Sequence, residues 1–299
     1  MKDTVDFEKV ITQAVEAEWL SNKNILLHVL RLDLIDAEIS GNKWFKLKYY
    51  LKDAVGQGFG TIATFGGAYS NHILATACAC KKLGLKSIGI IRGEEPAVLS
   101  HTLIQARQFG MQLYFVSRAE YKEPELLKEE FSKAYWINEG GHGAEGVRGA
   151  KEIMTLCKES EKYDHVVCAV GTGTMMAGII KAVNANQVVT GISIMKGNPE
   201  LMNNVKTLLG KDDEAKQFNI LHDYHFGGYA KYPNTLIEFM NQTWQQHHLP
   251  TDIIYTAKTF YAVEQMTSNN TIPPGSNVLM IHSGGLQGNF SLPAGLLCF

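Results

Sequence analysis

Short apolar runs alternate with amphipathic stretches along this chain, and the alternation predicts its elements. Residues 61–65 (Thr-Ile-Ala-Thr-Phe) read as a strand, Gly66-Gly67 as a turn and 71–82 as a helix. A strand over 86–91 follows, then a helix over 101–109. A third strand at 112–116 precedes a charged helix over 123–133, and 134–137 is a fourth. Strands that are apolar almost throughout, and separated by helices, belong to a buried parallel sheet. The theme returns after residue 150, with a helix over 151–161, a strand at 165–170, a helix over 175–184 and a strand at 188–194. A late strand at 276–281 comes after a long helical stretch. Between the halves, the glycine-dense segment 140–146 reads as a loop at a domain junction. The pattern predicts an α/β protein with two open, mostly parallel twisted sheets wrapped by helices. Its ligand cleft should lie at the carboxyl ends of the strands, between a smaller and a larger domain.

Composition narrows the classes open to such a fold. With 299 residues there is room for about two domains of ordinary size. A hydrophobic fraction of 45% and a charged fraction of 19% are those of a globular chain. Its 28 basic and 30 acidic residues give a net charge of −2, with no basic excess for nucleic acid or an anionic membrane. No apolar run approaches the roughly 18 residues of a spanning helix. The polar opening, Met1 to Glu8, is unlike a secretory signal. Cys78, Cys80, Cys157, Cys168 and Cys298 are odd in number, scattered and without a CxxC pair. They read as reduced, buried thiols in a cytoplasmic protein, with no metal site or disulfide framework.

Four segments could carry chemistry. In Cys168-Ala169-Val170-Gly171-Thr172-Gly173-Thr174-Met175-Met176-Ala177-Gly178, a strand runs through a glycine–threonine turn into a helix. Bare amides, threonine hydroxyls and a helix amino end suit a phosphate. Met176 and Ile179 break the dinucleotide and Walker templates, so a nucleotide is not expected. In Phe65-Gly66-Gly67-Ala68-Tyr69-Ser70-Asn71-His72 the same geometry either caps a helix through Ser70 or Asn71, or holds a substrate carboxylate. Gly41-Asn42-Lys43 opens a helix that also carries Lys46 and Lys48. Lysine opposes the dipole at a helix amino end, so its presence asks for an anionic cofactor or an amine nucleophile. Periodicity does not choose between Lys43 and Lys46. Finally, Ile281-His282-Ser283-Gly284-Gly285-Leu286 ends a strand in a tight turn over His282.

In this order, from about Asn24 to Leu286, these pieces resemble a pyridoxal-phosphate enzyme of the tryptophan-synthase-β class, fold type II. More narrowly, the chain is similar to the 1-aminocyclopropane-1-carboxylate deaminase / D-cysteine desulfhydrase family. Gly41-Asn42-Lys43 matches the family's Gly-Asn-Lys, and Gly66-Gly67 with Ser70-Asn71 matches its Gly-Gly-x-x-Ser-Asn. Residues 170–174 match its phosphate loop with the glycine spacing shifted by one. His282-Ser283-Gly284-Gly285 matches the closing His-x-Gly-Gly. The resemblance implies pyridoxal 5'-phosphate as cofactor, held as a Schiff base by Lys43, which also moves the substrate α-proton. It places Ser70 by the substrate carboxylate with a part in proton transfer, Asn71 against the cofactor ring or its hydroxyl, and Gly171, Thr172, Gly173 and Thr174 around the phosphate. Tyr255 stands over the substrate, with Tyr229 as second tyrosine on a looser alignment.

Within this family the deaminases carry glutamate after the tyrosine, facing the ring nitrogen, and leucine between His and Gly-Gly. Here Thr256 and Ser283 stand there. A hydroxyl hydrogen-bonds the ring nitrogen where a carboxylate would keep it protonated, and so gives a weaker electron sink. The residues favour β-elimination from a small amino acid, to a 2-oxo acid and ammonia, over ring opening. Tyr69 and His72 also replace glutamines of the deaminases. A non-catalytic binder of a phosphorylated metabolite at 171–174 is the reading from another class. The resemblance further implies a homodimer that meets no nucleic acid or membrane. Motif placement divides the chain into a smaller domain over 46–150 and a larger, cofactor-binding one over 1–45 and 151–299.

Overall fold

A computed structural model describes residues 4–299. Ten strands form two sheets: β1 (Thr12–Val15), β2 (Leu26–Arg31), β3 (Thr61–Gly66), β4 (Lys86–Arg92), β5 (Met111–Val116), β6 (Tyr135–Ile137), β7 (His165–Val170), β8 (Val188–Ser193), β9 (Gln217–Leu221) and β10 (Asn277–His282). The six-stranded sheet has the order β1-β2-β10-β7-β8-β9 and the four-stranded sheet β5-β4-β3-β6. Every pairing is parallel except β1 with β2. The helices are α1 (Glu18–Ser21), α2 (Asn42–Gly56), α3 (Asn71–Lys82), α4 (His101–Gln108), α5 (Pro124–Glu130), α6 (Ala144–Lys151), α7 (Thr174–Ala182), α8 (Leu201–Lys206), α9 (Asn234–His247) and α10 (Thr256–Ser268). Among the described residues, no helix is long and apolar enough to cross a membrane.

The central strands β7, β8 and β10 are buried from their second residue on, as parallel strands covered on both faces must be. One apolar core runs through both sheets, from Leu30, Val166 and Leu279 to Ile62, Ala75 and Cys78. Helix α3 is buried from Asn71 to Cys80, which explains its small Ala and Cys side chains. Cys78, Cys80, Cys157 and Cys168 are buried free thiols, whereas Cys298 is exposed, against the expectation for it.

The structure departs from the sequence pattern in three places. Edge strands β1 and β9, short and half-exposed, carry too weak an apolar signal to stand out, and β2 is a further strand beyond the predicted pattern. The charged helix shortens to α5, opened by Pro124 and closed by the non-helical Phe131. Most importantly, 151–161 is not a helix and 140–146 is not simply a junction loop. Helix α6 starts at Ala144, and short 3-10 turns over Glu152–Leu156 and Ser160–Lys162 follow it. Gly149 is there because α6 lies backbone to backbone on α2: a Cβ on it would stand 1.7 Å from the Phe45 carbonyl oxygen. Gly149→Ala should therefore push the two helices apart and cost roughly 1–3 kcal/mol or more, read as a lower urea midpoint.

Candidate active site

Lys43 owes its position to a glycine. Gly41, the N-cap of α2, has φ 68° and ψ −137°, and a Cβ there would lie 1.8 Å from the Ser283 carbonyl oxygen. No other residue type tolerates that approach. The Asn42 amide donates to the same carbonyl at 3.0 Å, so the start of α2 is fastened to the turn after β10. Lys43 Nζ donates to Asn42 Oδ1 at 2.8 Å and stands 5.6 Å from the Tyr255 ring centroid. Burial pulls its pKa down to about 8, against the opposing pull of the Asp252 carboxylate. Lys46, one turn on and 5% exposed, reaches Thr172 Oγ1 at 3.4 Å. Burial, and then the charge of Lys43, hold it well below the usual lysine range. The two lysines that periodicity could not separate thus face different partners.

The turn after β3 caps its helix and reaches the cleft. Ser70 caps α3, its Oγ accepting from the Ile73 amide at 3.4 Å, and it also lines the cleft. Asn71 is 5% exposed, and its amide oxygen has no hydrogen-bond partner. The His72 ring is buried, with Nε2 2.8 Å from Thr64 Oγ1. That hydroxyl donates its only hydrogen to the Ile137 carbonyl at 2.8 Å, so Nε2 must carry the hydrogen of the pair. Nδ1 is left as a bare, unpartnered acceptor. Burial, followed by the charges of Lys46 and Lys43, holds the ring well below the usual histidine range, so it stays neutral.

At the end of β7, Gly171, Thr172 and Gly173 form a cradle at the amino end of α7, where no side chain caps the helix. Thr174 is fully buried beneath them, its Oγ1 3.1 Å from Thr172 Oγ1 and 3.3 Å from His142 Nδ1. It offers its place at the helix start rather than a wall. Tyr255 is set by the Asp252 turn. The buried carboxylate of Asp252 accepts from the amides of Ile254 (2.9 Å), Tyr255 (3.0 Å) and Thr256 (2.8 Å). Burial raises the Tyr255 hydroxyl well above its usual range, so it keeps its proton at neutral pH. Thr256 is likewise fully buried and off the cleft wall. Its Oγ1 donates to Asp252 Oδ1 at 2.7 Å and accepts from the Asp252 amide at 2.7 Å. Tyr229 is 44% exposed on the wall.

Together these segments enclose a cleft of about 540 Å³. Its wall comes from the carboxyl ends of β3, β4 and β6 in one sheet and of β7, β8 and β10 in the other, where parallel sheets place ligands. Lys43, Ser70, Asn71, Gly171, Thr172, Gly173, Tyr229 and Tyr255 all line it; Thr174 and Thr256 do not. Sequence reasoning did not select Arg92 and Glu139 for the wall, although each sits just where a strand of the four-stranded sheet ends. The residues present fit pyridoxal phosphate: an amine with a lowered pKa, an unpartnered buried amide oxygen at Asn71, and a bare cradle beside a second buried lysine.

Comparison with known proteins agrees with this geometry. The pattern of the family described as "Pyridoxal-phosphate dependent enzyme" matches residues 11–284. A putative 1-aminocyclopropane-1-carboxylate deaminase of Pyrococcus abyssi is 33% identical over 284 residues, covering 88% of this chain and 86% of that one. A bifunctional D-cysteine desulfhydrase/1-aminocyclopropane-1-carboxylate deaminase of Arabidopsis thaliana is 29% identical over 294 residues, covering 88% and 73%. In three dimensions, the crystal structure of an ACC deaminase homologue superposes with a TM-score of 0.78 at 24% identity, covering 94% of this chain and 90% of that one.

Proposed function

The chain belongs to the family of pyridoxal-phosphate dependent enzymes, and on that premise we propose that it is a lyase/deaminase. It takes the α-proton and a β-substituent from a small amino acid and releases a 2-oxo acid and ammonia. One observation carries this reading. A lysine amine with its pKa near 8 faces a tyrosine ring in a cleft that has the uncapped start of α7, with its glycine–threonine turn, on one side and the Ser70 turn on the other.

When bound, pyridoxal phosphate supplies an electron sink for the charge that develops at the substrate α-carbon. Lys43 is the amine proposed to hold it and to move the α-proton, since its lowered pKa leaves part of the population unprotonated near neutral pH. Gly171, Thr172, Gly173 and the start of α7 at Thr174, with Lys46 beside them, hold the phosphate. Asn71 meets the ring edge. Ser70 and its turn hold the substrate carboxylate, and the protonated hydroxyl of Tyr255 stands over the substrate with Tyr229 at the rim. Thr256 acts from behind the Asp252 turn, which takes up its hydrogen.

With cysteine, water enters and pyruvate, ammonia and hydrogen sulfide leave. Position 256 supports elimination, because Thr256 stands where the deaminases carry the glutamate that would keep the ring nitrogen protonated. Cyclopropane ring opening, the activity in the names of the relatives, is the second reading. A panel of D- and L-cysteine, β-chloroalanine, D-serine and 1-aminocyclopropane-1-carboxylate separates the two by product. Pyruvate from the β-substituted substrates is the expected result. Oxobutanoate from the cyclopropane acid, with no pyruvate from the others, would reverse the choice.

A further inference from the structure

Arg92 is the last residue of β4 and stands on the cleft wall beside the turn that follows β3. A Cβ on Gly67 would lie 3.7 Å from its Nη2. On its other side the guanidinium lies 5.5 Å from the Tyr121 ring centroid. Among the described residues it makes no ion pair and no hydrogen bond. The charged side chains on the wall are Lys43, Lys46 and Arg92 against Glu139 alone. The cofactor engages the two lysines, and the Ser70 turn receives the α-carboxylate. Arg92 remains as a cation without an anionic partner, on the wall beside the turn that receives the α-carboxylate.

We propose that Arg92 forms a subsite for a second anionic group. The preferred substrates are then small amino acids whose β-substituent leaves as an oxyanion such as sulfite or phosphate, while aspartate occupies the subsite without elimination. A planar guanidinium matches such oxyanions through two parallel N–H bonds, which a lysine in its place could not offer. The amides of Ala68 and Tyr69, free of hydrogen-bond partners among the described residues, lie on the same turn and reinforce the preference for an anion. This subsite rests on the cofactor reading given above and adds to it the class of substrate.

The test titrates the holoenzyme, through its visible absorption, with aspartate, cysteate and O-phosphoserine of each hand, against serine and alanine. The dianionic amino acids should bind roughly 10- to 100-fold tighter than serine of the same hand. Arg92→Ala should erase that difference while leaving serine binding unchanged, and Arg92→Lys should restore part of it. Arg92 is exposed and unpaired, so both variants should fold. Dianions no tighter than serine in the unaltered protein would overturn the subsite. An equal loss for every amino acid in Arg92→Ala would overturn it as well, making Arg92 a partner of the α-carboxylate. A protein that shows no visible band with pyridoxal phosphate would overturn the cofactor reading itself, which keeps the two failures apart.

Discussion

Lys43→Ala is expected to leave a folded protein that stays colourless with added pyridoxal phosphate, with turnover lowered by roughly 10³-fold or more. The substitution removes the amine without touching what positions it, because the start of α2 is held by backbone contacts of Gly41 and Asn42 with Ser283. Lys46→Ala should behave differently. It removes a buried cation beside Thr172, so it should weaken retention of the cofactor while the visible band still forms. If Lys46→Ala lost the band and Lys43→Ala kept it, the proposed roles of the two would be exchanged. The pH dependence gives a second readout on cofactor-free protein. Only the unprotonated amine attacks an aldehyde, and burial brings the Lys43 pKa down to about 8. The rate of cofactor capture should rise about tenfold per pH unit below that value and level off above it. An ordinary lysine would keep rising towards about 10.4. A capture rate still climbing at pH 9.5 would show that burial does not activate this amine.

Asp33→Asn is expected to have the largest effect on stability. Arg31 Nε and Nη2 donate to the two Asp33 oxygens at 2.9 and 2.6 Å, and His282 Nδ1 lies 2.9 Å from Oδ1. His282 Nε2 in turn meets the Pro250 carbonyl at 2.8 Å, so the cluster ties β2 and β10 to the turn that carries Asp252 and Tyr255. The His282 and Asp33 side chains are 0% and 1% exposed. Neutralising Asp33 leaves its partners' positive charge buried without compensation, which typically costs about 3–5 kcal/mol. Burial by itself would raise the Asp33 pKa, but the charge of His282 and the bonds from Arg31 outweigh it and hold the carboxyl well below the usual range. A depressed folded-state pKa contributes stability that is fully present above the unfolded value, near 3.9, and is lost as pH falls from there through the folded value. Denaturant midpoints measured from pH 7 down to pH 2 should therefore fall more steeply for the unaltered protein than for Asp33→Asn. Equal acid slopes would mean that the cluster is not the source of that dependence. The same variant should also disturb the cleft, since Ser283 follows His282 and carries the carbonyl on which Lys43 depends.

Much of this site is legible before folding. The strand at 61–65, helix 71–82 and strand 165–170 reappear at or within a residue of their expected limits, because apolar runs of that length between glycine turns have few alternatives. The four motif segments all come to the cleft, since a parallel sheet presents the loops after its strands at one edge. Less was legible where residues answer to distant neighbours. Gly146 reads as a loop residue until the Gly141 carbonyl is laid against it, and no local pattern marks Gly149 as lying on α2. Thr256 reads as a wall residue until its hydroxyl is found spent on Asp252. A single arginine ending β4 is unremarkable until Gly67 and Tyr121 are placed around it.

Local order along the chain was thus enough to determine the fold class, the order of its turns and the presence of two lysines at a helix amino end. Which lysine faces the tyrosine, what lowers its pKa, and where unpaired charge is left over were decided only by the tertiary structure. The physical reason is range. Periodicity and turn chemistry act over a few residues, whereas burial, backbone contact at Gly41 and Gly149, and the balance of buried charge depend on segments far apart in sequence.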